Sequence, residues 1–218
     1  MSDTPIIHRA RFSPLLITLA IYIFGVLPFF RPGAGRSLLI NVAFSVVMAS
    51  AVYAVSGTRR ALIRASAVVG TVLVGTWCLQ FFDGSTLRAV VFSAAGLAIF
   101  GGTLLVIREV LRSRTVNGET IQGAICGYLM LALCWSFLYA LVETSRPGSF
   151  HGLEVTEPVE ATRFIYFSFV TLTTLGFGDA YPLTDGAQSL VTLQAVVGQF
   201  YLAILVARLV ALYTRDQG

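Results

Sequence analysis

The sequence predicts an all-α membrane protein: six transmembrane helices with a short re-entrant segment between the fifth and the sixth. Two observations carry that expectation. First, 56% of the 218 residues are hydrophobic and only 12% are charged, against about 25% charged in soluble domains. That balance requires lipid as the solvent. Second, charged residues divide the chain into uncharged runs at 12–30, 37–58, 65–82, 89–107, 120–142 and 186–207. Each is long enough to cross about 30 Å of hydrocarbon as a helix. A seventh run, 164–178, is too short to span, and its length suits a segment that enters and leaves on one side.

The first run follows His8, Arg9 and Arg11, as a signal peptide would. It is longer than a typical signal core and lacks a small-residue cleavage site before Arg31, so it reads as a retained span. Arginine bias then sets the orientation. One side holds Arg9, Arg11, Arg59, Arg60, Arg64, Arg108, Arg112, Arg114 and Arg215, with Arg208 near the end of the last span. The other holds Arg31, Arg36, Arg88, Arg146 and Arg163. The richer side faces the cytoplasm, which puts both termini there, in a cell membrane, and leaves the loop 143–163 and Asp179 outside.

The composition also sets several function classes aside. All 15 basic residues are arginine, scattered in ones and twos between apolar runs, so no basic face for nucleic acid forms. Cys78, Cys126 and Cys134 lie inside apolar runs without ligand spacing, which reads as core packing and not a disulfide or zinc framework. A secondary transporter with inverted halves would show two interrupted segments and intramembrane carboxylates. Only one interrupted segment is visible here, and no Asp or Glu lies inside a span. No nucleophile, acid–base pair or metal cluster suggests an enzyme, and no cofactor is expected.

The interrupted segment is TLTTLGFGD, residues 171–179. Two glycines two apart undo a helix, and non-helical backbone at membrane depth survives only when buried in protein or lining a watery cavity. One device uses such backbone directly: carbonyl oxygens that replace the water shell of a cation. Successive carbonyls point the same way when alternate residues are left-handed, and glycine accepts that conformation without steric cost. Gly176 and Gly178 stand at every second place, and Thr174 adds a hydroxyl at the inner end. The helix before them, about 161–173, aims its partially negative carbonyl end at the same point.

TLTTLGFGD resembles the signature of the potassium-channel family, usually T-x-T-T-x-G-Y/F-G-D. The resemblance covers 120 to about 213 and implies a pore module of outer helix, re-entrant selectivity-filter loop and inner helix. Residues 1–119 then form a four-helix bundle with its linker, and 120–218 the pore module. By resemblance the carbonyls of Thr174, Leu175, Gly176 and Phe177, with the Thr174 hydroxyl, bind K+. Gly178 closes the filter and Asp179 stands at its outer mouth. Leu175 replaces the commoner valine and Phe177 the commoner tyrosine. Val170 stands where some relatives place a glutamate that pairs with the aspartate, so Asp179 is left to lean on Tyr166.

Further positions carry weaker expectations. Gly198 is a candidate gating hinge or a close-packing glycine in the last span. Gln194 and Gln199 should face the cavity or a neighbouring chain; five residues apart, they cannot share one face well. Arg208 reads as an anchor near the cytoplasmic end in preference to a gate. Voltage sensing needs several arginines within one span, and 89–107 has none. Glu143, Glu154, Glu157 and Glu160 read equally as a cation-concentrating ring or as ordinary loop acids, and His151 as a weak pH-sensor candidate. One filter strand per chain requires four chains around an axis. The expected protein is a homotetramer in the lipid bilayer that passes K+ passively with little voltage dependence, a non-selective cation channel being the alternative.

Overall fold

The computed structural model describes residues 12–29, 34–56, 59–78, 85–113, 115–153 and 161–215. Those residues are almost wholly helical, and the fold is an all-α membrane protein. In chain order the helices are α1 (Phe12–Phe29), α2 (Ala34–Val55), α3 (Arg59–Cys78), α4 (Ser85–Arg112), α5 (Gly118–Ser145), α6 (Ala161–Leu172) and α7 (Asp185–Arg215). Five of the described helices are long and apolar enough to span: α1, α2, α4, α5 and α7. The third expected span lies in α3, whose apolar stretch Ala65–Trp77 is shorter, and residues 79–82 of that run lie outside the described residues.

Local chemistry accounts for the boundaries and irregularities. α1 widens to a π-helical turn over Ile21–Val26, where the Leu27 N–H donates to the Tyr22 carbonyl. The widening falls just before Pro28, whose ring would otherwise collide with the carbonyl four residues back. α5 begins at Asn117, whose side chain accepts the Thr120 N–H at 2.8 Å, and carries Glu119 in its first turn. It stops before Pro147, because a residue ahead of proline disfavours helical backbone.

α5 is the axis of the protomer. On one side α1 and α4 pack against it, with α2 against α1 and α4 and reaching α5 through Phe44 on Phe137; together they bury Leu15, Leu19, Phe44, Val47, Ile99, Met130 and Leu133. Small residues allow the close approach. A methyl group on Gly102 would lie 3.3 Å from Met130, and one on Gly123 only 2.9 Å from Val110. Short polar ties cross the same contacts: Ser13 donates to Gln122 at 2.7 Å, and the Thr18 and Ser50 hydroxyls lie 2.7 Å apart. Cys126 and Cys134 are buried and free, in keeping with a packing role.

On its other side α5 meets α6 and α7 through an aromatic cluster of Trp135, Tyr139, Phe150, Phe164 and Phe167. Two short strands, β1 (Phe150–His151) and β2 (Tyr181–Pro182), pair antiparallel, Phe150 opposite Pro182 and His151 opposite Tyr181. This small ribbon fastens the loop after α5 to the segment after the glycine motif.

Candidate functional site

Helix α6 ends at Leu172, one residue short of the expected limit. Its last turn folds the motif back on itself: Thr173 N–H reaches Phe169 O at 2.9 Å and Thr174 N–H reaches Thr171 O at 3.0 Å. The Val170 carbonyl then receives Leu175 N–H at 2.9 Å and Gly176 N–H at 3.4 Å. From there the backbone alternates. Thr174, Gly176 and Gly178 have φ of 58°, 57° and 80°. Every second residue is therefore left-handed, the geometry that turns successive carbonyls to one side.

Nothing lies within 4 Å of a methyl group placed on Gly176 or Gly178. Glycine is required at both for its φ and not for space. Thr174 is the third member of the alternation and has no such freedom. A β-branched residue held left-handed costs about 1–3 kcal/mol and persists only where its surroundings impose it. Residues 173–179 are all exposed on the protomer, Leu175 at 58% and Phe177 at 64%.

Three elements meet around Asp179. Asp179 hydrogen-bonds with the Tyr166 hydroxyl, and the Tyr166 and Phe177 rings stack with centroids 6.4 Å apart. Val170 is buried behind them. Gly152, at φ 75°, brings the loop so close that a methyl group there would stand 2.8 Å from the Asp179 carbonyl oxygen. The Leu183 N–H donates to Ser149 O at 2.8 Å, and His151 stacks on Tyr181 at 4.7 Å.

Glu143 corrects the expectation of an acidic ring that includes it. It is buried, and its carboxylate accepts the Gly148 N–H at 2.7 Å and the Phe150 N–H at 3.0 Å. It holds the loop's backbone and does not face the mouth. Glu154, Glu157 and Glu160 lie outside the described residues. The signal for Glu143 was its place at the end of an apolar helix just before Arg146, Pro147 and Gly148, where a turn leaves amide groups needing an acceptor.

The last helix, α7, runs unbroken through Gly198. A methyl group there would lie 2.7 Å from Leu172 Cδ1 and 3.1 Å from the Leu172 carbonyl oxygen, so this glycine admits the end of α6. The same carbonyl accepts the Tyr128 hydroxyl at 3.1 Å. Gln194 also departs from expectation. It is fully buried within its own protomer, bonded to Tyr139 and Ser168, while Gln199 is exposed on another face. Five residues turn a helix by about 500°, which separates the two amides by about 140°. Further along, Tyr201 donates to Ala124 O at 2.7 Å and Arg208 Nη2 to Ser113 O at 2.8 Å. Arg208 is thus fastened to the carbonyl just past α4, where a cation also meets the negative end of that helix.

Residues 125–215 match the ion-channel family. A curated relative is the inward rectifier potassium channel Kirbac3.1 of Paramagnetospirillum magnetotacticum, 33% identical over 86 residues, which is 39% of this chain. The chain spans 25% of that relative's length. No solved structure matches. The matched segment takes in most of α5, all of α6, the left-handed ladder and all of α7. Residues 125–215 are thus similar to an ion-channel domain, and the relative named here is a potassium channel.

Proposed function

We propose that the protein is a passive, potassium-selective channel that works as a homotetramer in the cell membrane. The carrying observation is the left-handed alternation at Thr174, Gly176 and Gly178. Four such strands around an axis stack their carbonyls into rings, each ring standing in for the hydration shell of one ion. In this reading Thr174, Leu175, Gly176 and Phe177 bind K+ through their carbonyls, and Thr174 adds its hydroxyl at the inner end. Gly178 ends the ladder, and Asp179, fastened to Tyr166, marks the outer mouth.

The tetramer is supported by what one protomer leaves uncovered. Leu175 and Phe177 beside the ladder, with Leu193, Val196, Phe200 and Ile204 on α7, are large apolar side chains exposed around the filter strand. Adjacent protomers would bury them, and closed rotational symmetry is the usual outcome for identical chains. α7 then lines the inner cavity, with Gly198 as the bending point. Residues 120–218 make the pore module and 1–119 a flanking bundle, with both termini cytoplasmic.

Reconstitution into planar bilayers under opposed potassium and sodium gradients tests the reading. The expected reversal potential lies close to the potassium equilibrium value. A reversal near zero would leave a cation channel without selectivity and overturn it.

A further inference from the structure

Gln194 is 0% exposed and its amide is fully occupied. Nε2 donates to the Ser168 carbonyl at 3.0 Å and to the Ser168 hydroxyl at 2.8 Å. Oε1 accepts the Tyr139 hydroxyl. Ser168, also fully buried, donates its own hydroxyl hydrogen bond to the Ala132 carbonyl at 2.7 Å. One side chain of α7 thereby grips α6 through a backbone atom and a hydroxyl, and α5 through a tyrosine.

The grip sits close to the conducting backbone. Ser168 is two residues before Val170, whose carbonyl holds the amides of Leu175 and Gly176. Hydrogen bonds are directional, whereas apolar burial is not. Aromatic packing around Phe164 and Phe167 can keep α6 in place yet leave its rotation free to drift. A bidentate amide on Ser168 fixes that rotation, and with it the height at which Val170 presents its carbonyl.

We infer that Gln194 is a positioning residue for ion selectivity: it sets the rotation of α6, and so the spacing of the carbonyls at 174–177, without touching an ion. The inference rests on the filter reading above and adds what keeps that filter in register from behind. A polar side chain in a span is expensive unless every group is met, and here every group is met by an element that bears on the filter.

The test compares wild-type protein with Gln194→Leu, Ser168→Ala and, as control, Thr103→Val. Thr103 is an equally buried hydroxyl, bonded to Ile99 and Cys134 away from the filter. Each is reconstituted, its tetramer content weighed by native mass measurement and its potassium-to-sodium permeability ratio recorded. Gln194→Leu should assemble and lose roughly tenfold in that ratio, a change equivalent to about 1.4 kcal/mol. Ser168→Ala should move it the same way by less, and raised external potassium should restore part of the loss. Thr103→Val should leave the ratio unchanged. An assembled Gln194→Leu channel with wild-type selectivity would overturn the inference. If that variant does not assemble, assembled Ser168→Ala with an unchanged ratio overturns it equally. A wild-type chain that does not prefer potassium would be a different failure, removing the filter reading and this inference with it.

Discussion

Helices α5 and α7 present apolar stretches of 28 residues each, equally hydrophobic, yet across an apolar window of 18 residues 61% of one is buried and 6% of the other. The helices of the flanking bundle fall between them, at 33% for α1 and α2 and 28% for α4. Composition cannot tell the two extremes apart, because lipid, protein and a neighbouring copy all accept the same side chains. The difference is in the polar residues. α5 is packed by its own protomer on several faces. α7 is held by it along a single line, through Gln194, Tyr201 and Arg208, each seven residues from the next and each hydrogen-bonded to the same protomer. Seven residues are about two helical turns, so the three lie on one face, with Gly198 between the first two. Among the described residues, the remaining faces of α7 carry exposed Leu193, Val196, Phe200, Ile204, Val206 and Val210, the apolar cover that the proposed tetramer would use.

The sharpest way to break this comparison is to spoil the strand that α7 follows. Gly176→Asp or Gly178→Asp should abolish potassium current altogether, since φ near 57° and 80° is closed to ordinary side chains at low cost. Recordings with measurable selective current from either variant would refute the ladder. Next in size, a charge on the bare face of α7 should act differently from one on α5. Phe200→Glu should yield folded protomers that no longer form tetramers, whereas Leu133→Glu should prevent folding. Native mass measurement beside thermal unfolding separates the two.

A milder change probes the loop. Glu143→Gln keeps one acceptor and turns the other into a donor facing an amide, at a cost of about 1–3 kcal/mol. The protein's midpoint of thermal unfolding should fall, with conduction retained at low temperature; an unchanged midpoint would contradict the structural role. The smallest effect concerns voltage. With no charge in 89–107, open probability should vary little over 100 mV, a step that supplies about 2.3 kcal/mol for each charge moved. A steep conductance–voltage curve would show sensor charges elsewhere.

Five of the spans and the left-handed alternation at 174–178 were legible because both are local. Uncharged runs mark helices that need lipid, and glycine at alternate positions marks a backbone with one conformational use. Even there, a left-handed Thr174 could not be read from residue type, since threonine avoids that region unless its surroundings compel it. Gln194 was misread for a different reason. A polar side chain in a span signals a wet cavity or a partner with equal force, and its partners stand 26 and 55 residues away. Glu143 failed likewise, since acid near a loop reads as solvated until the amides of 148 and 150 turn towards it. Arg208 was placed correctly near the helix end, but its bond to Ser113 spans 95 residues and leaves no pattern in the sequence.

The seven-residue line on α7 has a mechanical consequence. Gly198 divides it, leaving one fastening above and two below. A bend at that glycine that carried the lower half away from the Ala124 and Ser113 carbonyls would release both fastenings together. Two catches on one arm make a latch. Because Ser113 lies just past α4, a displacement of α4 would reach the lower catch directly, without passing through residues 174–178.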